Sequence, residues 1–120
     1  MEFKTIKYQE PEAGIGFITL NRPDRLNALG LDMVEDLHTV FGTLKTRDEV
    51  RVLVMTGEGR GFCSGADLKD PRILGAAGRV LANPAVHLYE VQKKYSDLIL
   101  EMRRLPQPLI AAVNGPFNLG

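Results

Sequence analysis

Cysteine is nearly absent from this chain of 120 residues. Cys63 stands alone, which excludes an internal disulfide framework and a cysteine-based zinc cluster. A reducing, cytoplasm-like compartment is the expectation that follows. An excess of charge is lacking too, since 15 Lys+Arg are matched by 15 Asp+Glu. Such a balance offers no basic surface for a nucleic-acid backbone or an anionic membrane, and neither partner is expected. No apolar run approaches the roughly 20 residues of a bilayer-spanning helix. The charged N-terminus, MEFKTIKYQEP, has no apolar core of the kind a signal peptide needs. Repeats and linkers are missing as well. What is present, 44% apolar and 25% charged residues, is the composition of one soluble globular domain.

Phe3, Ile6 and Tyr8 stand among polar neighbours in Glu2–Tyr8, which predicts a short strand, and Ile15–Leu20 (IGFITL) predicts a second. Between them, Glu10-Pro11-Glu12-Ala13-Gly14 has turn chemistry, so an antiparallel hairpin is expected. Asn21-Arg22-Pro23-Asp24-Arg25 ends that pattern, because Pro23 cannot donate to a sheet ladder. Met33, Leu37, Val40 and Leu44 then recur at helical spacing, widened by Val34 and Phe41. Asp32 followed by Glu35 resembles an N-terminal capping arrangement for that helix. His38 falls outside the apolar stripe and is expected to be exposed.

Arg51–Thr56 (RVLVMT) is nearly all apolar and suits a buried, parallel strand. A Gly-rich loop runs from Gly57 to about Asp70. Pro71–Ala82 has no clear period and reads as a partly helical excursion. Asn83-Pro84 is a good helix start, with Asn as the cap and Pro in the first turn. Leu88, Val91, Tyr95, Leu98, Met102 and Leu105 follow at spacings of three and four, a core stripe ended by Pro106 and Pro108. His87 and Glu90 sit in its first turn. Leu109–Val113 (LIAAV) predicts another buried strand, closed by the turn Asn114-Gly115. Strand, strand, helix, strand, helix, strand is an α/β order.

Chemistry is expected in the loop Gly57–Lys69, because α/β proteins place ligands beyond the ends of their strands. Its glycines allow close backbone approach, yet the pattern is neither G-x-G-x-x-G nor a Walker loop. Cys63 has no base among its neighbours and reads as a small packed thiol. Two histidines without matched spacing make no metal site.

The string Gly61-Phe62-Cys63-Ser64-Gly65-Ala66-Asp67-Leu68 closely resembles a loop of the enoyl-CoA hydratase/isomerase (crotonase) superfamily. Leu20-Asn21-Arg22-Pro23-Asp24-Arg25-Leu26-Asn27-Ala28-Leu29 is similar to the N-terminal signature of that superfamily. Pro108-Leu109-Ile110-Ala111-Ala112-Val113-Asn114-Gly115 resembles the strand and turn that lead into its second active-site loop. The three segments fall in family order, and the resemblance runs through the entire chain.

The resemblance implies a crotonase-like α/β spiral of ββα units, with residues 1–120 as the N-terminal part of a single domain. It implies an acyl-CoA thioester as substrate and an enolate-like anion at the thioester carbonyl. Two backbone N–H groups would stabilise that anion in an oxyanion hole. By match to the motif the first donor is Ala66, and by count from Asn114-Gly115 the second is Gly120. Coenzyme A would contact Arg25, Asn27 and Ala28, and the loop Ser64, Gly65, Ala66, Asp67, Leu68 and Lys69, mainly through backbone. Arg25 and Lys69 are candidates to meet phosphate oxygens, while Asp67 is expected to shape its loop through side-chain-to-backbone bonds.

No separate cofactor is implied, coenzyme A arriving as part of the substrate, and relatives form homotrimers or dimers of trimers. Hydration of a 2-enoyl-CoA is the reaction expected; an isomerase, another crotonase-family reaction or a non-catalytic acyl-CoA-binding fragment are the alternatives. The acid and base carboxylates of the family's hydratases lie on segments past the second oxyanion loop. A longer enzyme is therefore the preferred reading of the chain's length, since the front half alone leaves strand edges and apolar faces uncovered. An intact mass near 13.3 kDa would remove that reading.

Overall fold

Four strands form one sheet in the order β1-β2-β3-β4, and this sheet sets the position of everything else. The structure is a computed structural model that describes residues 1–67, 69–74 and 83–115. Strand β1 (Ile6–Glu12) pairs antiparallel with β2 (Ile15–Leu20). A one-turn 3-10 segment, Pro23–Arg25, leads on to helix α1 (Leu31–Leu44). Strand β3 (Val52–Gly57) then lies parallel to β2, with Ile15 opposite Val52 and Leu20 opposite Gly57. A four-residue helix α2 (Pro71–Leu74) and a long helix α3 (Pro84–Arg103) follow. Strand β4 (Leu109–Ala111) closes the described sheet, parallel to β3.

The hairpin is as expected, but its first strand begins at Ile6 and not at Glu2, and it runs further than the turn chemistry suggests. β1 continues through Pro11 to Glu12, and its register with β2 shifts between Gln9 and Glu12. A bulge on an edge strand is where proline is tolerated, because its missing N–H breaks no ladder bond. The reversal itself is confined to Ala13-Gly14, where Gly14 has φ +87°.

Burial of α1 follows its period. Met33, Val34, Leu37, Val40, Phe41 and Leu44 all lie in the core with Ile18, Leu20, Leu53 and Met55 of the sheet. Its cap is not the local one: Gly30 occupies the N-cap with no side-chain bond of its own. The Asp70 carboxylate, 39 residues along the chain, accepts from the Leu31 N–H at 2.8 Å. Asp32 and Glu35 instead face solvent and pair with Arg72. His38 is exposed, as its place outside the stripe suggests.

Helix α3 begins as Asn83-Pro84 leads one to expect, the Asn83 side chain accepting from the Val86 N–H at 3.3 Å. Val91 and Leu98 are buried, and Tyr95, Met102 and Leu105 pack against the core. Leu88 departs from the stripe and is 62% exposed. His87, one residue earlier, is buried in its stead. The segment Leu109–Val113 is a strand only over its first three residues, and it is not buried: Ile110 and Val113 are 53% and 49% exposed. It lies at the sheet edge, where one neighbouring strand and no outer layer of described residues cover it. Among the described residues no helix is long and apolar enough to cross a membrane.

Candidate active site

Two loops that leave the same end of the sheet are stitched into one surface. The first, after β2, runs from Asn21 to Gly30; the second, after β3, from Glu58 to Asp70. Asn27 is the main stitch and is fully buried. Its Nδ2 donates to the carbonyls of Glu58 at 3.0 Å and Gly61 at 2.8 Å, and its Oδ1 accepts from the Arg22 N–H at 2.7 Å. Leu26 and Asn27 hold positive φ values of 52° and 54° to bring that side chain inward. Gly57 makes the close approach possible. A Cβ there would come within 2.5 Å of the Gly61 oxygen and 2.8 Å of the Asn27 amide nitrogen.

Further along, the loops make an isolated parallel bridge between Leu29 and Ala66. The Leu29 N–H donates to the Gly65 carbonyl at 2.7 Å, and the Asp67 N–H donates to the Leu29 carbonyl at 3.1 Å. In a parallel bridge one residue uses both its backbone groups, so its partner's N–H and C=O turn the other way. Here the outward-turned residue is Ala66. Its N–H meets no acceptor among the described residues, and the residue is exposed. Gly65 stands at φ +95°, a left-handed conformation that a side chain would oppose. A fixed, unpaired amide on a small residue is what an anion-stabilising donor requires.

Side chains around the bridge are committed to holding it. Arg25 Nη1 lies 2.6 Å from Asp67 Oδ2, and the other Asp67 oxygen accepts from the Lys69 N–H at 3.0 Å. Asp67 thus shapes the loop, as its residue type leads one to expect. The Arg25 side chain remains 42% exposed. Ser64 is tied back to the first loop through its N–H, 3.1 Å from the Leu26 carbonyl. Ala28 is half-buried and Lys69 exposed. A cavity of about 180 Å³ opens between Arg22, Arg25, Ala28, Asp67 and Asp70. Cys63 is unpaired and packs in part against the core.

The turn after β4 leans on the same surface. Asn114 Oδ1 accepts from the Gly57 N–H at 3.1 Å, and its Nδ2 donates to the Gly59 carbonyl at 2.9 Å. The Ala112 N–H extends the β3–β4 pairing by donating to Met55 at 2.8 Å. The stretch that leads toward Gly120 is therefore laced to the loop that carries Ala66. Gly120 and Leu68 themselves lie outside the described residues.

Sequence reasoning places Asn27 among residues that touch a ligand; the structure places its side chain beneath the surface, with its polar atoms used internally. Reasoning from sequence passes over Asp70, Asn114 and the hydroxyl of Tyr95. The last donates to the Leu29 carbonyl at 2.5 Å. A tyrosine in an otherwise aliphatic stripe is the one signal that could have pointed to it. Burial, helped by the nearby Asp70 and Asp67 charges, pushes the Tyr95 hydroxyl up to about 12. An unfolded tyrosine ionises near 10, so the neutral hydroxyl is favoured by folding. Its stabilising effect is complete below about pH 10 and lost as pH rises through about 12. Denaturant titrations of wild type and Tyr95→Phe are expected to show a constant gap below pH 10 that narrows toward pH 12. A gap that stays constant to pH 12 would count against this assignment.

This architecture, a hairpin continued by parallel strands with an amide-bearing loop after the third, is the N-terminal part of the crotonase fold. AtuE of Pseudomonas aeruginosa superposes with a TM-score of 0.79 at 34% identity, over 93% of this chain and 41% of that one. An enoyl-CoA isomerase from Mycobacterium smegmatis gives 0.69 at 32% identity, over 92% and 41%. Residues 10–120 match the enoyl-CoA hydratase/isomerase family, and the chain belongs to that family. It is 44% identical to a probable enoyl-CoA hydratase of Mycobacterium leprae, over 88% of this chain and 35% of the relative. It is 40% identical to the 1,2-epoxyphenylacetyl-CoA isomerase of Escherichia coli, over 87% and 38%. The chain thus spans well under half the length of these relatives.

Proposed function

We propose that this chain forms the acyl-CoA-binding portion of an enzyme that hydrates a 2-enoyl-CoA to a 3-hydroxyacyl-CoA. The observation that carries the reading is the outward, unpaired Ala66 amide, fixed by the bridge to Leu29. Water adds to C3 of the enoyl group, and the electron pair of the double bond moves toward the thioester oxygen. The resulting enolate takes up a proton at C2. Ala66 N–H donates to the oxygen as it becomes negative, and Gly120 N–H is the second donor of the proposal. Main-chain donors suit this task because they need no protonation change and no reorganisation.

The remaining assignments follow the same surface. Arg25 has one Nη committed to Asp67 and guanidinium donors left over, which fits a phosphate oxygen of coenzyme A. Ala28, Ser64 and Gly65 offer backbone and Lys69 an exposed ammonium, while Leu68 enters the proposal from the family resemblance alone. No cofactor is needed beyond the coenzyme A that enters with the substrate. A homotrimer or dimer of trimers is the assembly proposed from the family resemblance. Cytoplasmic location accords with the lone unpaired Cys63. Isomerisation of an enoyl-CoA is the second reading, favoured by the likeness to the enoyl-CoA isomerase from Mycobacterium smegmatis.

Calorimetric titration with a short 2-enoyl-CoA, beside an assay for loss of its conjugated double bond, tests the reading. Binding with hydration is the expected result for the complete enzyme, which carries the acid and base carboxylates; binding alone is expected of residues 1–120. Binding with the double bond moved instead of hydrated transfers the assignment to the isomerase, and absence of thioester binding overturns both.

A further inference from the structure

The Leu29 carbonyl does double duty. It accepts the Asp67 N–H within the bridge and, from a different direction, the hydroxyl of Tyr95. A carbonyl oxygen has two lone pairs, so the two bonds complete rather than compete. Tyr95 lies 66 positions along the chain from Leu29, on helix α3, and its ring packs against the core that α1 and the sheet share. The hydroxyl is thus carried by a rigid helix, whereas the bridge belongs to two surface loops. We propose that Tyr95 is a positioning residue for the oxyanion donor, holding the Leu29–Ala66 bridge so that the Ala66 N–H keeps a fixed direction.

The inference rests on the acyl-CoA reading above and adds a residue outside the loops that bear the motif. The two backbone bonds of the bridge, with the Ser64–Leu26 and Arg25–Asp67 bonds beside them, all lie within the two loops. The Tyr95 bond is the one that ties the bridge oxygen to a third element. Direction matters because a donor displaced by 1 Å from its productive place forfeits most of its effect on the reacting oxygen. Neutrality of the hydroxyl is secure across ordinary pH, since burial holds its ionisation near 12. Asp70 guards the other side of the same loop, its two oxygens accepting from the Leu31 and Arg72 N–H groups at 2.8 Å each. The Ala66 loop is therefore clamped from α1 and from α3.

The test compares affinities of the full chain for butyryl-CoA and for free coenzyme A, which lacks the acyl carbonyl. Wild type is expected to prefer the thioester. In Tyr95→Phe that preference is expected to fall by about five- to tenfold, while affinity for free coenzyme A stays unchanged. Val91→Ala, a packing change on the same helix, serves as the structural control: it is expected to lower the melting temperature and leave the preference intact. Retention of the wild-type preference in Tyr95→Phe overturns the inference, as does equal weakening of both ligands. A wild type that binds free coenzyme A as well as its thioester overturns the acyl-CoA reading itself, and this inference with it.

Discussion

Replacing Ala66 with proline in the complete enzyme is expected, on the hydratase proposal, to lower turnover of a 2-enoyl-CoA by about 10²–10³-fold, the usual cost of one lost oxyanion donor. The substitution is selective because the Ala66 N–H has no acceptor within the described protein. Proline deletes that proton without breaking an internal hydrogen bond. The bridge survives, since both of its bonds use Leu29, Gly65 and Asp67 and neither uses the Ala66 amide. Proline's demand on the preceding residue falls on Gly65, which has the widest backbone freedom. The expected signature is a fall in kcat with the circular-dichroism spectrum and unfolding midpoint preserved. Undiminished kcat in a folded variant would remove Ala66 from the mechanism.

Asn27→Ala has the largest expected effect on stability. One buried amide satisfies the Glu58 and Gly61 carbonyls and the Arg22 N–H, in a residue with no exposure to water. Its removal leaves the Glu58 carbonyl and the Arg22 N–H unpaired, and the Gly61 carbonyl with only the Asn114 Nδ2 at 3.5 Å, at about 1–3 kcal/mol each, some of which water recovers by entering the gap. A net loss of about 3–5 kcal/mol follows from these values. Denaturant unfolding reads it directly. The same experiment separates two roles for the residue. A ligand contact would lose coenzyme A affinity with stability unchanged; an internal stitch loses stability first, and a loss below about 1 kcal/mol would contradict the stitch.

The contrast between what the chain spells locally and what it does at a distance recurs across the fold. Helix α1 is legible because its apolar residues recur at helical spacing, and strand β3 because it is a nearly continuous apolar run; Met33, Leu37 and Leu53 lie in the core accordingly. The end of β1 is not, since Pro11 carries turn chemistry that an edge bulge can absorb. The cap of α1 is hidden for another reason: Asp70 reaches Leu31 only after the chain has folded back, so no local pattern announces it. Exposure of Leu88, Ile110 and Val113 is likewise a property of the layers above them and not of their own apolarity.

The site divides in the same way. Three motif segments identify the loops, and the structure brings the segments around Asn27, Ala66 and Asn114 side by side. Motif matching does not distinguish a residue that meets a ligand from one that holds the loop that does. Asn27 and Asp67 belong to the holding set by their bonds, and Tyr95 joins it from a helix that bears no motif.

A crystal structure of the protein with a bound acyl-CoA would bear most immediately on the role given to Ala66. The thioester oxygen is expected at about 2.7–3.1 Å from the Ala66 nitrogen, in line with its N–H. An acyl-CoA seated with that oxygen beyond hydrogen-bonding reach, and the Ala66 amide turned to solvent, would contradict the account.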